Sequence, residues 1–499
     1  MTQWVADAPA PEATSVSTRK RDLATIAILA LLFYGLNVDF WVYGDSAMYA
    51  DFSLRREFVE VTLHLGYYWI VILAQNTLGA LFHLPIQETM GWVNVTFGVG
   101  TLCVSYLLAL ELLGSRRTTL IAVAILGVSG RMLNNSTSSE IYITQTFFVL
   151  LSFWLFTRER IFWAAAAAAM SMLISPLSLF AFLFFPVFDY QRAGRIRWSV
   201  LIKLAVLAFL MYLPYLALHW HDLFWGRRGL LNISANTRTD PLTSLRNFPK
   251  YQFKQFTLML FLVIPALLAW KRDRRFVALA LAVALPHLII ILKLTGEDNV
   301  FILNTDFFFA VLLTLGWSEL ARRKATAWMG PATFVGHVGL LLASGAIFAF
   351  NSHRGYPTEI RDTYVKFVRN QPNVAVVTDW GTAMAFVLYA RDSATTRLER
   401  EPVYQQIFDI DNEPGPSAPV RRAQTLYVVD RWNPSPLNAL LHSKESLEKL
   451  ALENSLKNVA ERRLDLTCTL LSAQVNRLYQ CARNAPSTDP SKMTLMPRQ

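Results

Sequence analysis

Two aspartates near the start of the chain have positions that suggest chemistry. Asp39 and Asp45 lie at the end of an apolar stretch and just beyond it, within the segment 39–51 (DFWVYGDSAMYAD). A carboxylate at a membrane boundary, among aromatic side chains, can take a proton from a substrate hydroxyl or help to hold a divalent cation. We take Asp45 as the first candidate for a general base and Asp39 as the second. The alternative is a solvated loop acid; it stays open for Asp45 and is favoured for Asp51.

A further acidic residue, Glu140, stands between a run of small polar residues, 134–139 (NNSTSS), and the next apolar stretch. If Glu140 converges with Asp45, the two carboxylates could contact a substrate or hold a divalent cation such as Mg²⁺ or Mn²⁺. Serine and threonine also favour helix starts, so Glu140 could instead belong to a helix cap. The sequence leaves both interpretations open, and with them the need for a metal.

Basic side chains collect in the segment 219–253. They are His219, His221, Arg227, Arg228, Arg238, Arg246 and Lys250. Arginine forks and lysine point charges suit a phosphate group. We single out Arg227, Arg228 and Lys250 as candidate phosphate ligands, with contact to ordinary lipid phosphates as the alternative.

The composition places these residues in a membrane protein. Of the 499 residues, 53% are hydrophobic and 17% are charged, whereas soluble domains carry about 25% charged residues. The net charge of +11 is typical of basic cytoplasmic loops beside anionic lipid, so we expect no nucleic-acid partner. Residues 1–22 lack the apolar core of a cleavable signal peptide, which predicts a disordered cytoplasmic tail.

Apolar stretches predict a polytopic α-helical membrane protein with about eleven transmembrane helices, in a transmembrane domain of residues 23–350. The predicted spans are 23–42, 91–113, 118–133, 141–157, 161–174, 177–190, 198–218, 254–270, 276–294, 305–320 and 328–350. The fifth and sixth are short and are separated by Ser175-Pro176, where a proline favours a turn. A single broken helix is the alternative there.

Charge distinguishes between these two arrangements. With the N-terminus inside, eleven spans put every short basic loop on the cytoplasmic side: 116–117, 158–160, 192–197, 271–275 and 322–324. Merging the fifth and sixth spans would put the last three outside, against the positive-inside rule. The external parts are then the first loop, 43–90, the basic loop, 219–253, and the C-terminal region, 351–499.

The C-terminal region is predicted to be a soluble α/β domain on the non-cytoplasmic side. Its sequence predicts strands at 373–378 and 424–429, a closing strand pair at 464–471 and 476–482, and helices at 382–390 and 443–461. The strand pair would bring Cys468 and Cys481 together. In an oxidising compartment a disulfide is then favoured over two buried thiols.

A stretch in the first loop opens with His64-Leu65-Gly66-Tyr67-Tyr68 and is too polar at its start for a clear span. Its aromatic residues predict helices that lie in the membrane interface, as far as Leu84-Pro85. On this interpretation alone, His64 is an interfacial polar residue.

The first-loop motifs resemble those of the GT-C glycosyltransferases, a superfamily that includes protein O-mannosyltransferases and aminoarabinose transferases. The family's first loop typically carries Asp-Glu-x-x-Tyr. Asp45 and Tyr49 match its Asp and Tyr, and Ser46 stands where the family has Glu. The segment His64–Tyr68 is similar to a following His-Pro-Pro-x-Tyr segment, without its prolines.

Two later segments carry the same resemblance, which covers about residues 20–350. Ser139–Tyr142 resembles the family's second external acidic site, and Tyr212–Tyr215 resembles a Tyr-Leu-Pro stretch of bacterial members. The resemblance implies an enzyme that moves a sugar from a polyprenyl-phosphate donor to an acceptor hydroxyl, with inversion, on the external face of a bacterial inner membrane. The acceptor would be a glycan, lipid or protein.

The resemblance also implies roles for individual residues. Asp45 would be the base, while Tyr49, His64 and Glu140 would contact the substrate. Two other functions fit part of the sequence. A transporter or flippase of lipid-linked saccharides would need charges deep within several spans and internal repeats. A non-catalytic scaffold would suit the C-terminal region but has no need of an acidic, aromatic first loop.

Overall fold

The structure is a computed structural model, and it describes the chain in segments. These are residues 16–38, 40, 45–55, 64–225, 252–253, 255–269, 274–294, 303–343, 373–378, 388, 407–409, 421–431, 455–473 and 476–483. Asp45 and some other residues at segment edges are described by their backbone alone. Contacts group the chain into two units, Met1–Asp39 with Phe52–Phe348 and Phe40–Asp51 with Ala349–Gln499.

The first unit is helical in the part that the structure describes, and α2 is shared with the second unit. The helices are α1 Val16–Asn37, α2 Asp45–Arg55, α3 Leu65–Ala74, α4 Ile86–Leu113, α5 Arg116–Gly127, α6 Gly130–Thr137, α7 Tyr142–Thr157, α8 Ile161–Ile174, α9 Phe184–Ala193, α10 Trp198–Trp225, α11 Val263–Ala269, α12 Arg274–Leu294, α13 Leu303–Ala321 and α14 Met329–Ala343. Two 3₁₀ helices, Pro176–Leu183 and Thr257–Leu262, lead into α9 and α11.

Each of the eleven predicted spans contains helix, but the number of crossings stays a prediction. Three helical segments in the described residues are long and apolar enough to cross a membrane: Leu65–Phe82, Ile86–Leu113 and Trp198–His221. Helices α6 and α7 would count as a fourth if they form one span, bent by 113°. The helices at four further positions are apolar but shorter: Ile161–Ile174, Thr257–Leu267, Phe276–Pro286 and Met329–Ala343.

Ion pairs tie several helix termini together at one end of this unit. Arg116 at the start of α5 donates twice to Asp22 in α1, with both N–O distances 2.6 Å, and the Tyr106 hydroxyl of α4 donates to the same carboxylate at 2.7 Å. The Arg116 guanidinium holds the pKa of Asp22 below its usual range. Arg158, just after α7, reaches Glu111 near the end of α4 at 2.9 Å.

The same end also includes the turn between α9 and α10. Arg197 pairs with buried Asp189 at 2.6 Å and with Glu159 at 3.3 Å. Arg192 donates to the Thr157 carbonyl at 2.8 Å. We call this part of the first unit, with Asp22, Arg116, Arg158 and Arg197, the basic end. The sequence predicts that it is cytoplasmic.

The predicted break between the fifth and sixth spans lies at Ser175, as expected. Its backbone is extended, with φ −155° and ψ 120°, and Pro176 begins the next helix. A residue before proline disfavours helical backbone, which explains the position of the break. Gln145 of α7 donates to the Ser178 hydroxyl at 2.9 Å, and this hydroxyl donates to the Ser171 carbonyl at 3.0 Å.

The predicted span 118–133 is two helices rather than one. Helix α5 ends at Gly127, and α6 begins at Gly130. The Ser129 hydroxyl donates to the Leu126 carbonyl at 2.9 Å. A serine side chain that bonds the local backbone offers an alternative to the helical ladder, which accounts for the break.

The interfacial stretch of the first loop is one continuous helical segment, Leu65–Phe82. It includes a π-helical turn, Gln75–Gly79, in which two polar side chains bond to nearby backbone. The Gln75 amide donates to the Leu84 carbonyl at 3.0 Å, and the Thr77 hydroxyl donates to the Leu73 carbonyl at 2.7 Å. Whether the segment lies in the interface stays a prediction.

The second unit contains a five-stranded sheet with strands β1 Val374–Thr378, β2 Ile407–Asp409, β3 Thr425–Arg431, β4 Leu466–Ala473 and β5 Asn476–Arg483. The strand order is β2-β1-β3-β5-β4, with β1 parallel to β2 and β3 and the other pairs antiparallel. Helix α15, Leu456–Leu464, contributes Ala460 and Leu464 to the core. The predicted α/β character is confirmed, and β2 was missed because three residues carry little strand pattern.

The closing strand pair and its disulfide are also confirmed. Cys468 in β4 lies opposite Cys481 in β5, and the two form a disulfide. Of the predicted helices of this region, 382–390 lies mostly outside the described residues, and 443–461 is described only from residue 455 onward.

Candidate functional site

The first-loop acids are placed only in part. Asp45 is the first residue of α2, and its side chain lies outside the described atoms, as does the whole of Asp39. Tyr49, one turn further on, is buried with 1% of its surface exposed. Asp51 was expected to be a solvated loop acid; this is wrong, because it lies within α2 and is 4% exposed.

A buried asparagine joins the two other motifs that the sequence singled out. Asn94, in the third turn of α4, is fully buried, and the Tyr67 hydroxyl donates to its Oδ1 at 3.2 Å. Its Nδ2 donates to the carbonyl oxygens of Ser138 and Glu140, each at 2.5 Å. The His64–Tyr68 segment and the Ser139–Tyr142 segment therefore meet at Asn94, which sequence reasoning missed.

The junction between α6 and α7 is the element that carries Glu140. The two helices are bent by 113°, and the Glu140 N–H donates to the Ser138 carbonyl at 3.0 Å. The N-cap of α7 is Ile141, which makes no side-chain cap. The half-buried Glu140 carboxylate acts electrostatically on the Tyr67 hydroxyl. The interpretation of Glu140 as part of a cap is therefore the weaker one.

His64 has a defined partner at the end of α8. Its Nδ1 lies 2.7 Å from the Ile174 carbonyl oxygen, and because a carbonyl only accepts, Nδ1 carries the proton and donates. The last carbonyls of a helix lack partners within that helix, so His64 satisfies one of them. Gly66 permits this approach, since a Cβ there would lie 3.1 Å from backbone atoms of Leu173 and Ile174.

A buried ion pair lies in the same part of the first unit. Arg131 of α6 binds Asp306 at the start of α13, and their side chains are 2% and 1% exposed. Among the described residues, neither Arg131 Nη2 nor Asp306 Oδ2 has a hydrogen-bond partner. The sequence places Asp306 shortly after two further acids, Glu297 and Asp298, which lie outside the described part.

His337 of α14 is a buried residue with both ring nitrogens bonded. Its Nε2 donates to the Val128 carbonyl at 2.9 Å, and its Nδ1 accepts from the Thr257 hydroxyl at 2.7 Å. The side chain of the other intramembrane histidine, His287, is not among the described atoms. We call the part of the first unit around Asn94, with His64, Glu140, Asp306 and His337, the Asn94 end. The Asn94 end lies opposite the basic end. Helices α4, α5 and α7 each have one terminus at the basic end and the other terminus at the Asn94 end.

The candidate phosphate ligands are outside the region that can be assessed. Arg227, Arg228 and Lys250 all lie in 226–251, outside the described residues. Just before this segment, Tyr212 and Tyr215 of the family-like stretch are buried, with ring centroids 5.1 Å apart.

No group of three or more His, Cys, Asp or Glu side chains that could hold a metal occurs in the described part of the chain. The proposed Asp45–Glu140 pair is not tested by this result.

Comparison with solved structures identifies the fold. ArnT from Cupriavidus metallidurans bound to undecaprenyl phosphate aligns over 94% of this chain and 98% of that one, with a TM-score of 0.57 and 12% identity. AglB, an archaeal oligosaccharyltransferase from Archaeoglobus fulgidus, in complex with an inhibitory peptide and a dolichol-phosphate, aligns over 82% and 69%, with a TM-score of 0.53 and 12% identity. Both are GT-C membrane glycosyltransferases. This chain has the GT-C fold.

One further solved structure is similar in fold, and one relative is similar in sequence. The Archaeoglobus fulgidus oligosaccharyltransferase in complex with Zn and sulfate aligns over 81% of this chain and 67% of that one, with a TM-score of 0.51 and 15% identity. An uncharacterized protein from Aquifex aeolicus (strain VF5) is 30% identical over 166 residues. That match covers 30% of this chain and 32% of the relative, so it spans about a third of the relative's length. No family model matches the sequence.

Proposed function

We propose that this protein is a glycosyltransferase that moves a sugar from a polyprenyl-phosphate donor to an acceptor hydroxyl, with inversion, on the external face of the membrane. The observation that carries the proposal is the convergence at Asn94. Two motifs that resemble those of GT-C enzymes meet through the amide of Asn94. Tyr67 of the first motif lies 27 residues before Asn94 in the sequence, and Glu140 of the second lies 46 residues after it. A shared fold alone does not require this contact.

The neighbours support the donor class. ArnT is bound to undecaprenyl phosphate, and AglB to a dolichol-phosphate, and both align over most of this chain. We extend a lipid-phosphate donor to this protein on that basis. The bacterial inner membrane as its location, and a glycan, lipid or protein as its acceptor, belong to the same proposal.

The chemistry requires one base and a stabilised leaving group. The acceptor oxygen attacks the anomeric carbon, and its proton passes to a carboxylate, for which Asp45 is the first choice and Asp39 the second. The bond between the anomeric carbon and the phosphate oxygen breaks, and polyprenyl phosphate leaves with the electron pair from the opposite face. This geometry inverts the anomeric centre.

The remaining candidates would bind rather than react. Arg227, Arg228 and Lys250 would neutralise the leaving phosphate. Tyr49, His64 and Glu140 would contact the sugar or the acceptor. A divalent cation, if used, would be held by the carboxylates of Asp45 and Glu140 and would stabilise negative charge on phosphate oxygens. The half-buried position of Glu140 fits such a ligand.

The test is transfer by the purified protein in liposomes. Undecaprenyl phosphate carrying radiolabelled glucose, galactose, mannose or aminoarabinose would be offered with lipid, glycan and peptide acceptors. General-base catalysis contributes about 10²- to 10⁴-fold, so Asp45→Asn should lower turnover at least about 100-fold and leave donor binding intact. Glu319→Gln, in an exposed pair with Arg322 at the far end of α13, is the matched control and should keep wild-type turnover.

The outcomes separate the alternatives. If Asp39→Asn loses transfer and Asp45→Asn keeps it, Asp39 rather than Asp45 is the base, and the protein is still a glycosyltransferase. Normal transfer by both variants would remove both acids from catalysis. A wild-type protein that transfers no sugar but moves the lipid-linked saccharide between leaflets would instead be a flippase, and one that does neither would be a scaffold.

A further inference from the structure

The Asn94 side chain makes contacts that require a side-chain amide. Its amide donates to two carbonyl oxygens on a neighbouring segment at 2.5 Å, with the Asn135 carbonyl of the same segment at 3.4 Å, and accepts from a tyrosine hydroxyl. A side-chain amide supplies two N–H donors and an acceptor at once, whereas a carboxylate only accepts and an ammonium only donates. The two carbonyls fix the orientation of the amide, because neither can donate.

These contacts are made to the junction that carries Glu140. The carbonyls of Ser138 and Glu140 lie at the bend of 113° between α6 and α7. Both residues follow the last residue of α6 and precede the first residue of α7. Such carbonyls need donors from elsewhere when they are buried away from water. Asn94, on a different helix, donates to both; the Ser138 carbonyl also accepts from the Glu140 N–H at 3.0 Å.

A second contact holds the same helix pair together one turn along α4. At Gly98 a Cβ would lie 2.5 Å from the Ser136 Oγ, so only a glycine lets α4 and α6 approach this closely. Asn94 and Gly98 lie on one face of α4, four residues apart. Together they fix the end of α6 and the junction against α4.

The Tyr67 hydroxyl completes the arrangement. It donates to Asn94 and lies within electrostatic range of the Glu140 carboxylate. Both Tyr67 and Asn94 are fully buried, while Glu140 is half-buried. Tyr67 and Asn94 therefore hold the junction in place, and Glu140 is the residue of the three that a ligand can reach.

We propose that Asn94 is a positioning residue that holds the α6–α7 junction so that the Glu140 carboxylate faces the acceptor or donor sugar. The inference rests on the proposed function and extends it to a residue that does not touch substrate. It predicts that loss of the Asn94 amide acts on turnover through Glu140. A misplacement of about 1 Å at a reacting site can lower turnover about 100-fold.

The experiment compares Asn94→Ala with Asn135→Ala. Asn135 is an equally buried asparagine, on α6, whose amide donates to the Arg131 carbonyl of its own helix at 2.9 Å. Turnover would be measured with the undecaprenyl-phosphate sugar that wild type transfers, in the wild-type background and in Glu140→Gln. Asn94→Ala should lower turnover about 10- to 100-fold in the first background and less than about twofold in the second.

A structural role alone would give a different result, because a loosened fold lowers turnover by the same factor in both backgrounds. Backbone hydrogen exchange across 138–141 gives a readout independent of activity: it should rise in Asn94→Ala and not in Asn135→Ala. An active wild type with normal turnover in Asn94→Ala, or with equal losses in both backgrounds, would overturn the positioning role alone. A wild type that transfers no sugar overturns the proposed function, and the positioning role with it.

Discussion

The two ends of the helical unit hold their polar groups in different ways. At the basic end, charged side chains join helix termini, and each arginine side chain stays within reach of water: Arg116 is 35%, Arg158 47% and Arg197 30% exposed. At the Asn94 end, both partners of the ion pair are buried. The Arg131 and Asp306 side chains are 2% and 1% exposed.

This difference indicates what each end is built for. Exposed ion pairs contribute roughly 0–1 kcal/mol each, and they suit a surface whose main task is to orient the protein in the membrane. Buried pairs and buried amides carry a desolvation cost and are weak evidence for stability. Polar groups inside a membrane domain mark functional sites by default. The proposed site belongs at the Asn94 end for this reason.

The sharpest test of the comparison is which end faces the cytoplasm. A reporter that is active only outside the cytoplasm should be active when fused after Gln499 and silent when inserted at Arg195, at the basic end. The positive-inside rule is the reason for this expectation. The reverse pattern would put the Asn94 end inside the cytoplasm. It would contradict both the eleven-span topology and a site on the external face.

The buried ion pair should show the largest effect on stability. Arg131→Met leaves the Asp306 carboxylate buried without its partner, and it should lower the free energy of unfolding by about 3–5 kcal/mol. The double variant Arg131→Met/Asp306→Leu should recover most of this loss, because apolar replacement of a buried pair is often neutral. Unfolding followed by tryptophan fluorescence in detergent measures both, and a single variant as stable as wild type would contradict the pair.

The disulfide of the C-terminal unit offers an independent test of compartment. Cys468→Ala should lower the free energy of unfolding of this unit by about 3 kcal/mol in the chain-entropy model, with Cys103→Ala as a control outside the bridge. The bridge requires an oxidising compartment. Alkylation of the intact protein without reductant should label neither Cys468 nor Cys481; free labelling of both would place this unit inside the cytoplasm.

The smallest effect is expected at the basic end. Asp22→Asn should lower the free energy of unfolding by about 1 kcal/mol, because the Arg116 side chain is 35% exposed and solvent screens the pair. Its pKa is lowered in the folded state, so the stabilisation is present above the unfolded value of about 3.9. It is lost as the pH falls through the folded value.

Unfolding midpoints measured from pH 7 downward test this sign. Wild type and Asp22→Asn should differ at neutral pH and converge below about pH 4. Glu111→Gln is the control, since its exposed partner predicts a change of at most about 1 kcal/mol. A loss of turnover in either variant would contradict the division of labour between the two ends.

Local patterns in the sequence predicted the elements well. The break at Ser175 followed from a proline, and the disulfide followed from two strand-like runs that place Cys468 opposite Cys481. The bend between α6 and α7 did not follow from such a pattern, because the Asn94 amide that donates to its carbonyls lies on α4, 44 and 46 residues away. No local pattern contains that information.

The site was predicted only at its accessible residues. Glu140 and His64 stand out by resemblance, whereas Asn94 and Arg131 lie inside predicted spans and match no motif. A signal for both was present, because a polar or ionisable residue within an apolar stretch is a candidate functional residue. Their partners could not be named, since Arg131 pairs with a residue in a span that begins far along the chain.

The separation of Arg131 and Asp306 also has a consequence for biosynthesis. The two residues are 175 positions apart, and ribosomes add about 5–20 residues per second, so α6 is made roughly 10–35 s before its partner helix. A lone guanidinium is costly in hydrocarbon. During that interval Arg131 lacks the Asp306 carboxylate that neutralises it in the folded protein. The Asn94 end can therefore be completed only after α13 has been made.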